Sequence, residues 1–193
     1  MEIEEIYSAY MYSYPHKTAY RELENIDMRS YTGMLQEQQN GLYIHIPFCE
    51  TKCGYCNLFS VTGGKEEDFR LYIEAIDEHA KQLKSIASFA QWNSFILGGG
   101  TPMILPEREL EQVFQIVEER LDVDHKTVYS GIETSPNQTA ASKLSILKDF
   151  NMDRVSIGVQ SFIEEELMML RRHHKVKAAM NALDLIIDRK SVV

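Results

Sequence analysis

Four short runs of apolar and β-branched residues recur along the chain, and a longer stretch with helical spacing follows each of them. No other feature restricts the fold as strongly. Leu42-Tyr43-Ile44-His45-Ile46, Ser94-Phe95-Ile96-Leu97, Val128 to Thr134 and Arg154 to Val159 read as strands. Pro47 stops the first of them. From Glu66 to about Phe89, the residues Phe69, Ile73, Ile76, Ala80 and Leu83 recur three or four apart, which predicts an amphipathic helix. A second helix runs from about Pro106 to Leu121, with proline at or near its first position. Thr139 caps a third that reaches about Phe150, and two more fill Ile163 to Ile187. Strands that alternate with helices build right-handed βαβ units around a parallel sheet. The expected class is therefore α/β, with about four βα units. Residues 49 to 64 read as a loop. Residues 1–40 carry Tyr7, Tyr10, Tyr12, Tyr14, Tyr20 and Tyr31 without a clean period, and read as a lead-in segment with short helical pieces.

A chain of 193 residues suffices for one domain with a real core. Its formal charge of −9 argues against general binding to nucleic acid or anionic membranes, which need clustered Lys and Arg. Arg171, Arg172, His173, His174, Lys175 and Lys177 form the one local basic stretch. No apolar run approaches the roughly 20 residues of a membrane helix. The start, Met1-Glu2-Ile3-Glu4-Glu5, is acidic, unlike a secretory signal, so the expected location is cytoplasmic.

The cysteines carry the sharpest chemical signal. There are three, Cys49, Cys53 and Cys56, on the loop after the first strand. A tight, odd-numbered group points to metal ligation or redox chemistry and away from a disulfide framework. Three thiolates on a [4Fe-4S] cube leave one iron open to a further ligand. Two alternatives stand beside this: a Cys3His zinc site completed by His45, and three inert buried thiols. Gly98-Gly99-Gly100-Thr101-Pro102 follows the second strand and lets a ligand approach the backbone closely, with N–H donors exposed. It lacks the Lys and Ser/Thr of a P-loop. Glu133 can accept hydrogen bonds from ribose hydroxyls, and Gln160 can both donate and accept at a nucleoside. The Arg172 guanidinium suits a carboxylate. These positions fall near the C-terminal ends of consecutive strands, where parallel α/β folds bind ligands. The Met168-Met169 pair reads as helix packing, and Glu164-Glu165-Glu166 as a solvated first turn.

The Cys-x3-Cys-x2-Cys spacing in this setting resembles the radical S-adenosylmethionine (SAM) superfamily. Tyr43-Ile44-His45-Ile46-Pro47-Phe48-Cys49, with Cys53, Tyr55 and Cys56, resembles the oxygen-independent coproporphyrinogen III oxidase family. That family also holds haem chaperones and haem-degrading enzymes. The resemblance covers most of residues 41–187 and implies a partial (β/α)6 radical SAM barrel there. It implies that Cys49, Cys53 and Cys56 bind a [4Fe-4S] cluster, whose fourth iron is chelated by SAM. One electron then cleaves SAM to methionine and a 5′-deoxyadenosyl radical. Tyr43 would lie against SAM, with Tyr55 beside it or beside a second SAM. Gly99, Gly100 and Thr101 belong to the motif that meets the SAM amino group, and Arg172 rather than Arg171 matches the family arginine. His174 matches the family histidine. The implied partners are a tetrapyrrole or related substrate and a reductant such as flavodoxin or ferredoxin. One departure stands out: coproporphyrinogen-oxidising members carry a further cysteine where this chain has Leu58. Leu58 resembles the haem chaperones more, yet those generally lack a lead-in like residues 1–40.

The final Asp188-Arg189-Lys190-Ser191-Val192-Val193 is the hexapeptide that a common sequencing adapter encodes in frame before a stop codon. The expectation is that residues 188–193 are read-through and that the natural frame continues beyond Ile187.

Overall fold

The first strand, β1 (Asn40–Ile46), runs into Pro47 and is followed at once by a two-residue strand, β2 (Phe48–Cys49). A second two-residue strand, β3 (Val61–Thr62), pairs parallel with β2. The cysteine segment is therefore anchored at both ends by a small sheet, where the sequence predicts a plain loop. Two-residue strands have no period to detect, which is why they escape a sequence reading. The helix α1 (Glu66–Ile86) comes next, then β4 (Trp92–Gly99), α2 (Glu107–Leu121), β5 (Tyr129–Thr134), α3 (Ala141–Asp149), β6 (Arg154–Ile157), α4 (Glu164–Met169) and α5 (Val176–Asp188). This computed structural model describes residues 21–22, 25–35 and 39–188. Most of the tyrosine-rich lead-in and the last five adapter-like residues lie outside the described residues. Within the lead-in, a 3-10 helix spans Met28–Leu35 and buries none of its side chains.

The main sheet has the order β1-β4-β5-β6, and every pairing is parallel. Ile46 pairs with Gly99, Leu97 with Ile132, and Thr134 with Ile157. This register brings the C-terminal ends of all four strands to one edge. Leu42, Ile46, Phe95, Leu97, Ile132 and Val155 are buried on the sheet. Phe69, Ile73 and Ala80 of α1, Leu110, Val113, Phe114 and Val117 of α2, and Leu144 and Leu147 of α3 are buried with them. Phe95 and Phe114 meet edge-on at 6.4 Å, a geometry favoured by the ring quadrupoles.

Helix ends differ from the sequence expectation in three places. Thr139 does not cap α3; its hydroxyl donates to the Ser135 carbonyl at 3.0 Å, and Ala140 occupies the cap position. The local 3-10 turn Pro136–Gln138 offers Thr139 a nearer acceptor than the helix offers it a donor. Pro106 precedes α2 as its cap residue. α1 ends at Ile86, short of Phe89, where Ala87 turns its N–H back to the Leu83 carbonyl. The Met168-Met169 pair does not pack as expected: the residues are 69% and 83% exposed, because α4 is one short helix with only Leu167 buried.

Candidate functional site

Phe48 fixes the start of the site. Its ring meets Phe69 at 4.8 Å and Tyr72 at 5.4 Å, both edge-on, and Tyr72 donates to the His45 carbonyl at 2.7 Å. Helix α1 therefore holds the β1–β2 corner, and Cys49 beside it is buried.

The glycine turn after β4 closes against this corner. The Gly100 N–H donates to the Ile46 carbonyl and the Thr101 N–H to the Phe48 carbonyl, each at 2.8 Å. The Gly99 N–H donates to Glu133 Oε2 at 3.0 Å. These donors are committed inside the protein, which corrects the expectation that the turn exposes them to a ligand. The glycines serve contact instead. A Cβ on Gly100 would sit 2.7 Å from Cys49 Sγ, and one on Gly98 would sit 2.9 Å from the Tyr43 ring. Gly99 has a φ of 123°, a region closed to most side chains.

A second clamp comes from the far end of the chain. The Gly54 N–H donates to the Leu170 carbonyl at 3.0 Å. Arg172 Nη1 donates to Cys53 Sγ at 3.0 Å, and its Nη2 donates to the Gly158 carbonyl. Glu50 accepts from Asn137 Nδ2 at 3.1 Å and lies 3.6 Å from His173 Nε2. Arg171, at φ 53°, takes the left-handed turn that swings Arg172 inward.

Between the two clamps lies a cavity of about 320 Å³. Cys49, Cys53 and Cys56 line it, together with Tyr55, Gly99, Gly100, Thr101, Glu133, Gln160 and Arg172. Tyr43 stands beside it, half exposed, with its hydroxyl 3.3 Å from His45 Nδ1. Gln160 adopts φ 73°, a strained conformation for a non-glycine residue and one that clusters at functional sites. The sequence reading did not single out Glu50, Asn137, Ser156, Gly158 and His173, which also line the cavity. Their signal is tertiary: Ser156 lies near the end of β6, Asn137 sits in the 3-10 turn after β5, and the others lie on loops that the fold brings to this edge.

Burial pushes the Cys49 thiol above its ordinary range, and the neighbouring Cys56 and Cys53 push the same way. The Thr101 hydrogen bond and the Arg172 charge oppose that shift. Burial also raises the Tyr55 phenol and lowers the His174 imidazole, the latter aided by Arg172. His45 is no zinc ligand in this arrangement, since its Nε2 bonds the Phe59 carbonyl at 2.9 Å and its Nδ1 faces Tyr43. Among the described residues, no three His, Cys, Asp or Glu side chains converge on a single-ion site. One tetrahedral zinc would hold thiolates about 3.8 Å apart, whereas a cube takes each on its own iron.

The family model for the radical SAM superfamily matches residues 43–193. The chain belongs to this superfamily. Heme chaperone HemW of Bacillus subtilis (strain 168) is 31% identical over 144 residues, covering 74% of this chain and 37% of that protein. The oxygen-independent coproporphyrinogen III oxidase of Paracoccus denitrificans is 29% identical over 149 residues, covering 77% of this chain and 33% of the relative. The chain thus spans between a third and two fifths of the length of these relatives. The solved structure of Escherichia coli coproporphyrinogen III oxidase (HemN) superposes with a TM-score of 0.82 over 96% of this chain and 42% of that one. At 20% identity this shows the fold, a partial radical SAM barrel.

The cofactors of the radical SAM superfamily are a [4Fe-4S] cluster and SAM. The cavity fits such a pair on its own terms. Three thiols line it. Arg172 Nε is buried and has no partner among the described residues, which leaves an N–H and a positive charge for an anionic group. Tyr43 and Tyr55 are about half exposed beside it, as flat apolar faces.

Proposed function

We propose that this chain is the cofactor-binding part of a radical SAM enzyme resembling oxygen-independent coproporphyrinogen III oxidase. Its substrate is a tetrapyrrole or a related molecule, and its working place is the cytoplasm, which suits three free cysteines. The observation that carries the reading is the convergence of Cys49, Cys53 and Cys56 on one cavity with Arg172. Cys49, Cys53 and Cys56 hold the cluster. Arg172 receives the SAM carboxylate, Glu133 the ribose hydroxyls, and Gln160 the nucleoside. Tyr43 and Tyr55 cover the bound molecule, and the turn at Gly99, Gly100 and Thr101 lines its amino end. When bound, the pair supplies a 5′-deoxyadenosyl radical from one electron, delivered by a reductant such as flavodoxin or ferredoxin. The protein's own task is to orient SAM and keep water away from it.

A haem chaperone is the second reading. Leu58 favours it, since the side chain lines the cavity where coproporphyrinogen-oxidising members carry a cysteine. Turnover is tested on the full-length protein, since this part alone is expected to be inactive: it is reconstituted with iron and sulfide without oxygen, reduced with dithionite and given SAM. An enzyme releases 5′-deoxyadenosine, whereas a chaperone binds haem and releases little. Cys53→Ala loses the iron and sulfide. Full iron and sulfide in that variant would overturn the cluster assignment.

A further inference from the structure

Thr101 is the residue of the glycine turn whose hydroxyl faces a cysteine instead of open cavity. The residue is 9% exposed, and its Oγ1 donates to Cys49 Sγ at 3.8 Å. Cys49 is itself buried, at 8% exposure. Backbone fixes both partners. The Thr101 N–H bonds the Phe48 carbonyl, one residue before Cys49, and Pro102 opens the next 3-10 turn. Gly100 lets the two segments meet, since any Cβ there would strike Phe48 and Cys49. The contact spans 52 residues of sequence, so it is a tertiary feature and not a by-product of a local turn.

We propose that Thr101 is a positioning residue for Cys49. Its hydroxyl holds the Sγ rotamer toward the cavity and, once the sulfur is an iron ligand, keeps a hydrogen bond on it. This rests on the cluster reading above and assigns the hydroxyl to the protein's own sulfur, not to SAM. A hydrogen bond to a ligating sulfur withdraws negative charge, and the added electron of the reduced cluster is then better tolerated. Of the thiols lining the cavity, Cys49 is the buried one and the other two are partly exposed, so the bond weighs most there.

The test uses the 193-residue chain, reconstituted without oxygen and titrated with dithionite, one electron per cluster. Paramagnetic resonance of the reduced cluster reports the midpoint potential, with no turnover required. Thr101→Val keeps the shape and removes the donor; Thr101→Ser keeps the donor. The expected result is a midpoint more negative in Thr101→Val and restored in Thr101→Ser. If Thr101→Val takes up no cluster but Thr101→Ser does, the hydroxyl is needed to set Cys49, which also supports the assignment. A Thr101→Val midpoint equal to wild type overturns it. So does loss of the cluster in Thr101→Ser, because the methyl group rather than the hydroxyl would then be the working part. A wild-type chain that holds no iron and sulfide overturns the cluster reading itself, a result distinct from either of these.

Discussion

Gly100→Ala tests whether the cysteine corner is as tightly closed as the geometry says. The new Cβ would lie 2.6 Å from the Phe48 carbonyl oxygen, 2.7 Å from Cys49 Sγ and 3.0 Å from the Phe48 carbonyl carbon. Two of the three are backbone atoms of the β1–β2 corner, which α1 pins through Phe69 and Tyr72 and which cannot swing away as a long side chain can. Overpacking of a fixed site costs about 1–3 kcal/mol. Relief by backing the turn away would break the Gly100–Ile46 and Thr101–Phe48 hydrogen bonds, at about 1 kcal/mol each. The cost is therefore about 1–3 kcal/mol by the first route and about 2 kcal/mol by the second. At about 2–4 °C per kcal/mol for a chain of this size, the melting midpoint falls by roughly 2–12 °C. Thermal melting followed by circular dichroism measures it. Gly33→Ala is the control, because a Cβ there has nothing within 4 Å and shifts stability by less than about 0.5 kcal/mol. Equal midpoints for Gly100→Ala and Gly33→Ala would refute the reasoning.

Two further outcomes follow from other contacts. Arg172→Lys keeps the charge but loses the planar fork, so SAM affinity of the cluster-loaded chain falls about tenfold or more by calorimetry while iron and sulfide stay bound; unchanged affinity would remove Arg172 from the SAM site. Lys143 is buried, donates to the Met103 carbonyl at 2.6 Å, and is pushed by burial below its ordinary 10.5. The unfolded chain then binds that proton more tightly than the folded one, so this residue's contribution to stability rises with pH through the window below 10.5. Urea unfolding at neutral pH and near the top of that window should show a larger rise in wild type than in Lys143→Met, and equal rises would contradict the buried-ammonium picture.

The parallel sheet was legible because its strands are written as β-branched runs, and because Phe69, Ile73 and Ala80 keep helical spacing where α1 meets the core. Ten of the eleven expected site residues line one cavity: most sit at or just after the C-terminal ends of strands on one edge, and the turn after α4 brings Arg172 to the same place. What stayed hidden depends on distant partners. Thr139 is a local exception: the turn Pro136–Gln138, which has no period of its own, brings the Ser135 carbonyl to its hydroxyl. The turn at Gly98 to Thr101 announces close approach, but not that the neighbour is the cysteine corner. Lys143 sits among the apolar residues of α3, and only the fold reveals the carbonyl that receives it. The β2–β3 pair is too short to leave a pattern.

The cysteine loop leans on residues made much later. Cys53 is gripped by an arginine 119 positions downstream, and Gly54 by the carbonyl of Leu170. During synthesis the three thiols emerge long before those anchors do. Until the segment through Arg172 has left the ribosome, the loop has only its inner support from β2, β3 and the glycine turn. The finished pocket thus exists only once the segment through Arg172 has emerged, and a metal centre delivered earlier meets an unfinished one.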